Sequence, residues 1–391
     1  MARRSKILPG LLMSTALLVT SLGVGGMVAS ADEAGEPPGS AASRAAASAA
    51  GPGSSRTAPS AGPHAGHAGH AGHAGHAGSG AAAVPASAED GDGDGYVPAK
   101  PRVTGVEPAE EEPPHRYFHE FQAHCTVSHT RPDDPIVYPG QPGKSHDHTF
   151  MGNTTTDAYS TTESLDAGPT TCLAPGDKSG YWMPTMFDGD KEVRPVGEQT
   201  IYYKAGVTDY TSVQPFPKGL RFVVGSPMQS AQEFRDHPGF VEGWECGTSY
   251  FNVEFPEDCP TTQDTQVNIR FQAPSCWDGK NLDTPDHQSH MAYPRVKEGT
   301  NNNVCPDTHP VALPMVEFKM AFPVNGDLSQ LRLASGAAHS FHYDFFNAWD
   351  DRTLKAMVDH CVVGGLQCDP RGYDENHPEA GAVLDEDYEL P

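Results

Sequence analysis

Basic residues are scarce in this 391-residue chain. It has 26 lysines and arginines against 51 aspartates and glutamates, which gives a formal net charge of -25 at pH 7. A surface with this excess of negative charge repels phosphate backbones. Nucleic acid is therefore excluded as an expected partner.

Three motifs or segments are missing from the sequence. No two cysteines have the CxxC spacing of a zinc ribbon. No G-x-S-x-G elbow is found, which disfavours a serine hydrolase with a Ser-His-Asp triad. After residue 31 no apolar run is long enough to cross a bilayer, so no membrane partner is expected beyond that point.

The N-terminus has the pattern of a secretory signal. Arg3, Arg4 and Lys6 precede an apolar run, and Ala29-Ser30-Ala31 is a small-residue cleavage pattern. The alternative is an uncleaved anchor, but Pro9 and several glycines interrupt the run. The sequence predicts a signal peptide over residues 1–31 and a secreted, extracellular protein.

The eight cysteines all lie within the central part of the chain. An even number of cysteines in an exported protein predicts disulfides, although the sequence does not give the pairing. The two shortest separations, Cys246 with Cys259 and Cys361 with Cys368, are the most economical local pairs. The predicted disulfide cysteines are Cys125, Cys172, Cys246, Cys259, Cys276, Cys305, Cys361 and Cys368.

Residues 32–112 are rich in alanine, glycine, serine and proline and contain few large apolar side chains. Such a segment buries too little surface to offset the entropy of folding, so it is predicted to be a disordered leader. Its HAG repeat could bind copper, zinc or nickel weakly, or act only as a spacer. The repeat contains His64, His67, His70, His73 and His76.

The composition changes at residues 113–370, where aromatic residues, cysteines and alternating segments occur together. Val267, Ile269 and Phe271 alternate with polar residues, as in a half-buried strand. Asp350 and Asp351 precede a helical spacing of apolar residues. The fold prediction is mainly β: a disulfide-stapled β-sandwich or jelly-roll-like domain with long loops and one or two short helices. Residues 371–391 are predicted to be an acidic flexible tail.

Three separated motifs contain polar side chains suited to chemistry. "KSHDHTF" places His146 and His148 on one side of a strand, a workable chelating pair. "CWDGKNLDTPDHQSHMAYP" is a structured loop with clustered aspartates and histidines, and its alternative interpretation is a loop held by its own hydrogen bonds. "HYDFFNAWD" places His342 beside Asp344 opposite an aromatic face. We expect the fold to gather these motifs into one polar site.

Several long motifs in this order resemble a known family. The stretches "DPIVYPGQPGKSHDHTFMGN", "YWMP", "CWDGKNLDTPDHQSHMAYP", "CPDTHPVALP" and "HYDFFNAWD" look like the domain-of-unknown-function family numbered nineteen ninety-six. The resemblance covers roughly residues 118–361. It implies a secreted domain of fungi and actinobacteria, sometimes joined to carbohydrate-binding modules. It implies no established activity, so no catalytic residue is carried over.

Three functions stay open. The first is binding or hydrolysis of extracellular or cell-wall polysaccharide, either between two carboxylates or at a metal ion. The second is binding of copper or zinc without catalysis, and the third is a structural envelope or matrix protein. Whether the chain is an enzyme is open. The candidate catalytic residues are Asp147, Asp278, Asp286 and Asp344; the candidate metal ligands are His146, His148, His287, His290, His309 and His342; the candidate sugar-stacking residues are Trp182, Trp277, Tyr293 and Trp349.

Overall fold

Strands dominate the part of the chain that the computed structural model describes, which is residues 87–103, 109, 111–247, 249–262 and 266–390. All these residues belong to one unit, Ala77–Pro391. The predicted signal peptide and the HAG repeat lie outside the described residues.

The strands are mostly short, as the frequent glycine, proline and asparagine turns predict. They are β1 (Val97–Pro98), β2 (Glu120–Cys125), β3 (Val127–Arg131), β4 (His148–Gly152), β5 (Gly180–Pro184), β6 (Met186–Asp188), β7 (Lys191–Val193), β8 (Gln199–Ala205), β9 (Arg221–Gly225), β10 (Phe240–Cys246), β11 (Ser249–Asn252), β12 (Asp258–Cys259), β13 (Val267–Gln272), β14 (Cys276–Trp277), β15 (Asn281–Asp283), β16 (Met291–Ala292), β17 (Arg295–Val296), β18 (Asn303–Val304), β19 (Val311–Ala312), β20 (Pro314–Phe322), β21 (Gly326–Asp327), β22 (Leu331–Leu333), β23 (His342–Phe346) and β24 (Gln367–Cys368).

Helices are few and short. The predicted helix after Asp350 is confirmed: the Asp350 side chain accepts a hydrogen bond from the Thr353 amide and caps the helix. Among the described residues, no helix is long and apolar enough to cross a membrane. The α-helices are α1 (Thr162–Ala167), α2 (Ala231–Asp236) and α3 (Asp351–Met357), which continues as a π-helical turn at Val358–Val363; 3₁₀ turns lie at Tyr210–Ser212, Ala338–Ser340 and Pro378–Ala380.

Two large sheets form the sandwich that the sequence predicts. One has seven strands in the order β11-β10-β13-β20-β8-β2-β24, and the other has five in the order β3-β4-β5-β23-β9. The predicted alternation in β13 is confirmed, because Val267, Ile269 and Phe271 are buried and the residues between them are partly exposed. The chain passes from one sheet to the other at Thr126, between β2 and β3.

Aromatic side chains fill the space between the two sheets. Phe318 of β20 stacks on Tyr343 of β23 with ring centroids 3.8 Å apart. Tyr181 of β5 contacts Phe318 and Phe345 from the five-stranded side. These side chains belong to one large buried cluster that includes residues of both sheets. Burial of this apolar area is the main favourable contribution to the fold.

The five-stranded sheet is also covered on its second face. A separate apolar cluster there includes Ile136 from the loop before β4, Leu165 from α1, and Phe150, Trp182 and Phe346 from the sheet. As a result, every residue of β4, β5, β9 and β23 is buried. The polar residues of β23 therefore lie beneath a second layer of the chain.

All eight cysteines form disulfides, as predicted. Both economical local pairs are confirmed. The four bonds are Cys125–Cys172, Cys246–Cys259, Cys276–Cys305 and Cys361–Cys368.

Two segments that the sequence assigned to the leader and the tail pack on the sandwich. Val97 and Ala99 are buried, and Val97 pairs with Asp283 of β15. At the other end Leu384 is fully buried, and the Tyr388 hydroxyl lies 2.6 Å from the Thr353 hydroxyl. Residues 87–103 of the predicted leader thus contribute to the domain.

Inside the sandwich, the buried carboxyl group of Asp177 is hydrogen-bonded to a series of linked hydroxyl groups. The Tyr181 hydroxyl donates to Asp177 at 2.7 Å and also bonds the Tyr203 hydroxyl, which accepts from the Trp349 indole at 3.0 Å. Burial raises the pKa of Asp177 to about 7, although hydrogen bonds from Tyr181 and Ser179 act in the opposite direction.

Because the pKa of Asp177 is raised in the folded protein, we expect the stability of the protein to depend on pH. The Asp177 pKa is 3.8 when unperturbed, so between about pH 4 and pH 7 the folded protein binds the extra proton. The free energy of unfolding should therefore fall as the pH rises through that window, by at most about 1.4 kcal/mol per pH unit from this group. In Asp177→Asn the free energy of unfolding should fall less between about pH 4 and pH 7 than in the parent protein. Urea unfolding at several pH values measures the difference.

The exposed Asp92→Asn is the matched control and should keep the parent dependence. An Asp177→Asn protein whose stability follows the parent curve at every pH would contradict the assignment.

Candidate metal centre

The loop before β4 positions the first two histidines. Asp133 and Asp134 fix its start: Asp133 accepts a hydrogen bond from the Gly143 amide at 2.8 Å, and Asp134 accepts from the Ile136 and Val137 amides at 2.9 Å. Asp133 and Asp134 are themselves buried. The loop therefore returns along a fixed path into His148, the first residue of β4.

Strand β23 places the third histidine and a carboxylate on the same face of the five-stranded sheet. His342 and Asp344 are two residues apart in the strand, so their side chains project to one side. Tyr343, between them, points into the core between the two sheets, where it stacks on Phe318. Both polar side chains therefore lie on the second face of the sheet, beneath the covering loop.

The neighbouring strand β9 approaches His342 closely. Gly225 of β9 is the register partner of His342. Its φ is +82°, and a Cβ there would lie 3.0 Å from the Phe341 carbonyl oxygen. This position therefore requires glycine.

The three histidines converge although 194 residues separate His148 from His342 in the sequence. The ring centroid of His146 lies 4.3 Å from that of His148 and 5.0 Å from that of His342. One ligand atom of each residue lies within 4.8 Å of the others. Donor atoms about 3.4 Å apart surround a tetrahedral ion with metal–nitrogen bonds of about 2.0–2.1 Å. Small side-chain movements would close the remaining difference.

Hydrogen bonds fix the orientation of two of these rings. The Nδ1 atom of His148 lies 2.9 Å from the Asp133 carbonyl oxygen, and that of His342 lies 2.9 Å from the Ser340 carbonyl oxygen. A carbonyl only accepts, so each Nδ1 carries the proton and each Nε2 keeps its lone pair. The Nε2 atoms of His146 and His148 are buried and have no hydrogen-bond partner among the described residues. This is the usual arrangement of an imidazole that ligates through Nε2.

The surroundings keep all three imidazoles neutral. Burial lowers the pKa of His146 to about 4. Burial and the neighbouring His146 lower the pKa of His342 to about 3, and burial with both other rings lowers the pKa of His148 well below its ordinary value. Neutral imidazole is the form that binds a metal ion.

A buried carboxyl group lies beside the histidines. Neither side-chain oxygen of Asp344 has a hydrogen-bond partner among the described residues. Ligand atoms of Asp344, Asp134 and His148 lie within 4.8 Å of one another. Burial and the nearby Asp134 raise the pKa of Asp344 well above its ordinary value. Burial raises the pKa of Asp134 to about 6. A cation at the histidines would reduce the cost of charging Asp344.

The structure brings together two of the three motifs that the sequence predicts to share a site. The histidines of the third motif bond to other groups. His290 uses both ring nitrogens, on the Thr284 hydroxyl and the Arg221 carbonyl oxygen. His287 bonds the Asp283 carboxylate. Neither histidine joins the cluster of three imidazoles.

His309 also lies apart from the cluster. Its two ring nitrogens lie 2.9 Å from the Thr308 hydroxyl and 2.9 Å from the Ser289 carbonyl oxygen. The candidate ligands that meet are therefore His146, His148 and His342.

Two of the other candidate catalytic aspartates hold the structure of their own loop. Asp278 accepts hydrogen bonds from the amides of the two residues that follow Gly279, and Asp286 accepts from the Gln288 and Ser289 amides. Although burial acts to raise it, these hydrogen bonds lower the pKa of Asp286 to about 2. The loop thus has the self-bonded structure that was the alternative interpretation of this motif.

Asp147 lies between the first two histidines in the sequence and is half-buried near Thr185 and Glu192. Burial raises its pKa, and the hydrogen bond with Thr185 acts in the opposite direction. Asp147 belongs to none of the side-chain groups that could hold a metal ion among the described residues.

The candidate sugar-stacking residues are largely inaccessible. Trp182, Trp277 and Trp349 are fully buried, so none of them offers a ring face to a ligand at the surface. Tyr293 is partly buried and donates its hydroxyl to the Gln272 carbonyl oxygen at 2.7 Å.

The sequence analysis missed one residue of the site, Asp134. Its place beside His148 and Asp344 depends on long-range folding. No local pattern around Asp134 signals that contact.

The unpartnered carboxyl group predicts that metal-free stability can be increased at this site. Burial and the nearby Asp134 raise the pKa of Asp344 in the folded protein, so at pH 8 this carboxyl lowers the free energy of unfolding. Asp344→Asn removes the ionisable group but preserves its shape, and should raise the free energy of unfolding of the metal-free protein by about 1 kcal/mol or more at pH 8. Urea unfolding after chelator treatment measures the change. The control Asp278→Asn disturbs a hydrogen-bonded turn and should lower stability. A less stable Asp344→Asn protein would contradict the prediction.

Comparison with known proteins identifies the family. A family model described as Domain of unknown function (DUF1996) matches residues 134–349, more than half of the chain. The match includes His146, His148, His342 and Asp344. Neither the curated proteins nor the solved structures gave a match. The chain therefore belongs to the DUF1996 family.

Proposed function

We propose that the protein binds one transition-metal ion, copper or zinc, through His146, His148 and His342. The observation that carries this proposal is the convergence of three imidazoles whose ligand atoms lie within 4.8 Å, with two buried Nε2 atoms lacking partners among the described residues. Leaving buried polar atoms unpaired costs free energy. A bound ion would satisfy both lone pairs.

The ligand set favours particular metals. Imidazole suits zinc, copper, iron and nickel, whereas magnesium and calcium require oxygen ligands. For nitrogen ligands the affinity of divalent ions is highest for copper. Asp344 lies next to His148 in a separate group with Asp134, and it would supply negative charge once a bound cation lowers its pKa. We therefore expect Cu²⁺ to bind more tightly than Zn²⁺.

The cellular setting belongs to the same proposal. Four disulfides are typical of an oxidising compartment, and the N-terminal pattern predicts export. We propose that the metal is bound outside the cell. Binding or hydrolysis of polysaccharide stays a prediction, and the burial of Trp182, Trp277 and Trp349 gives it no support.

The test uses the full chain with the five HAG histidines replaced by alanine, so that the leader adds no metal binding. Titration of Cu²⁺ and Zn²⁺ against a chromophoric chelator should give one equivalent of bound metal. In His146→Ala the affinity should fall by at least about 100-fold. His146 is the most informative position because His148 and His342 also bond backbone carbonyl oxygens through Nδ1, so their replacement would disturb the fold as well.

The matched control is His309→Ala, which removes a histidine outside the cluster and should leave the affinity unchanged. Circular dichroism establishes that both variants are folded. The proposal fails if the parent protein binds no metal, or if His146→Ala binds it as tightly as the parent does.

A further inference from the structure

A cavity of about 660 Å³ lies beside strand β9. This volume is within the range of pockets that hold small organic molecules, about 300–1,000 Å³. Its walls come from the described leader segment, the loop before β4, strand β9 and the loop that follows β15. Apolar side chains, including Val97, Ile136, Val137 and Val223, form much of the lining.

The charged residues of this cavity are predominantly acidic. Four aspartates line it, and no lysine or arginine is among the described lining residues. Asp283 is the most informative, because its side chain is only 6% exposed and its hydrogen bonds within the described residues all involve Oδ1, which leaves Oδ2 for a ligand. The acidic lining residues are Asp90, Asp94, Asp283 and Asp286.

His287 contributes an oriented imidazole to the same wall. Its Nδ1 lies 2.9 Å from Asp283 Oδ1, while its Nε2 makes no hydrogen bond among the described residues. The backbone of His287 has φ of +56°, which is uncommon for a residue other than glycine.

The leader segment forms a fixed wall of the cavity. Glu89 forms an ion pair with Arg221, whose side chain is 1% exposed. Two residues of this segment pair with β15, where Val97 is the partner of Asp283. These contacts place Asp90 and Asp94 at the cavity through the fold of the domain.

We propose that this cavity binds a small organic amine, with the apolar body of the ligand against the valine and isoleucine side chains and its ammonium group at the aspartates. The site is separate from the proposed metal centre, since none of its lining residues is a proposed ligand. Burial acts to lower the pKa of His287, but its contact with Asp283 raises it, so His287 can offset one carboxylate. With His287 protonated, the four aspartates still leave the lining negative. A negative lining favours a cation and disfavours an anion of the same shape.

The experiment compares three probes with one apolar body: phenylbutylamine, phenylbutanol and phenylbutyrate. Isothermal titration and saturation-transfer NMR with the chelator-treated full chain should show the amine binding at least about tenfold more tightly than the alcohol, a difference of about 1.4 kcal/mol. The carboxylate should not bind. Equal affinities of amine and alcohol, or no binding of the amine, would overturn the proposal.

Variants locate the site. Asp283→Asn and Asp94→Asn should each weaken amine binding severalfold, whereas Asp190→Asn, at an exposed position outside the lining, should not. Binding should persist in His146→Ala, which separates this site from direct coordination of the amine by a metal ion. Unchanged affinity in both Asp283→Asn and Asp94→Asn would place the amine elsewhere and refute the inference.

Discussion

The burial of both faces of the five-stranded sheet is the constraint on which the candidate site depends. One face packs against the seven-stranded sheet, and the other lies under the loop before β4 and under α1. Polar side chains on the second face therefore lose their contact with water and need partners inside the protein. His148 and His342 find carbonyl oxygens for one nitrogen each, while Asp344 finds none among the described residues.

The five-stranded sheet itself determines the geometry of the candidate site. The strands fix the relative positions of His148, His342 and Asp344, and the loop held by Asp133 and Asp134 adds a third imidazole. Rigid placement of ligands reduces the reorganisation that metal binding requires. The same rigidity leaves the Nε2 atoms of His146 and His148 and the Asp344 carboxyl without partners among the described residues, and unpaired buried polar atoms lower stability.

Local patterns in the sequence were sufficient for the fold class, the helix after Asp350 and two of the disulfides. Strand alternation also placed His342 and Asp344 on one face. The sequence could not show that this face is covered, because the covering loop and helix are distant in the chain and carry no periodic signal. For the same reason the third motif, around His287 and His290, was expected in the shared site, although its histidines bond to other groups.

The disulfide pattern has a consequence for how the chain is made. Along the sequence, the first cysteine is bonded to the second, the third to the fourth, the fifth to the sixth and the seventh to the eighth. The four covalent loops therefore follow one another without overlapping. A polypeptide that emerges from a translocation pore N-terminus first exposes each partner in turn. For a chain that is exported as the N-terminal pattern predicts, oxidation in order of emergence favours the native bonds over mismatched pairs.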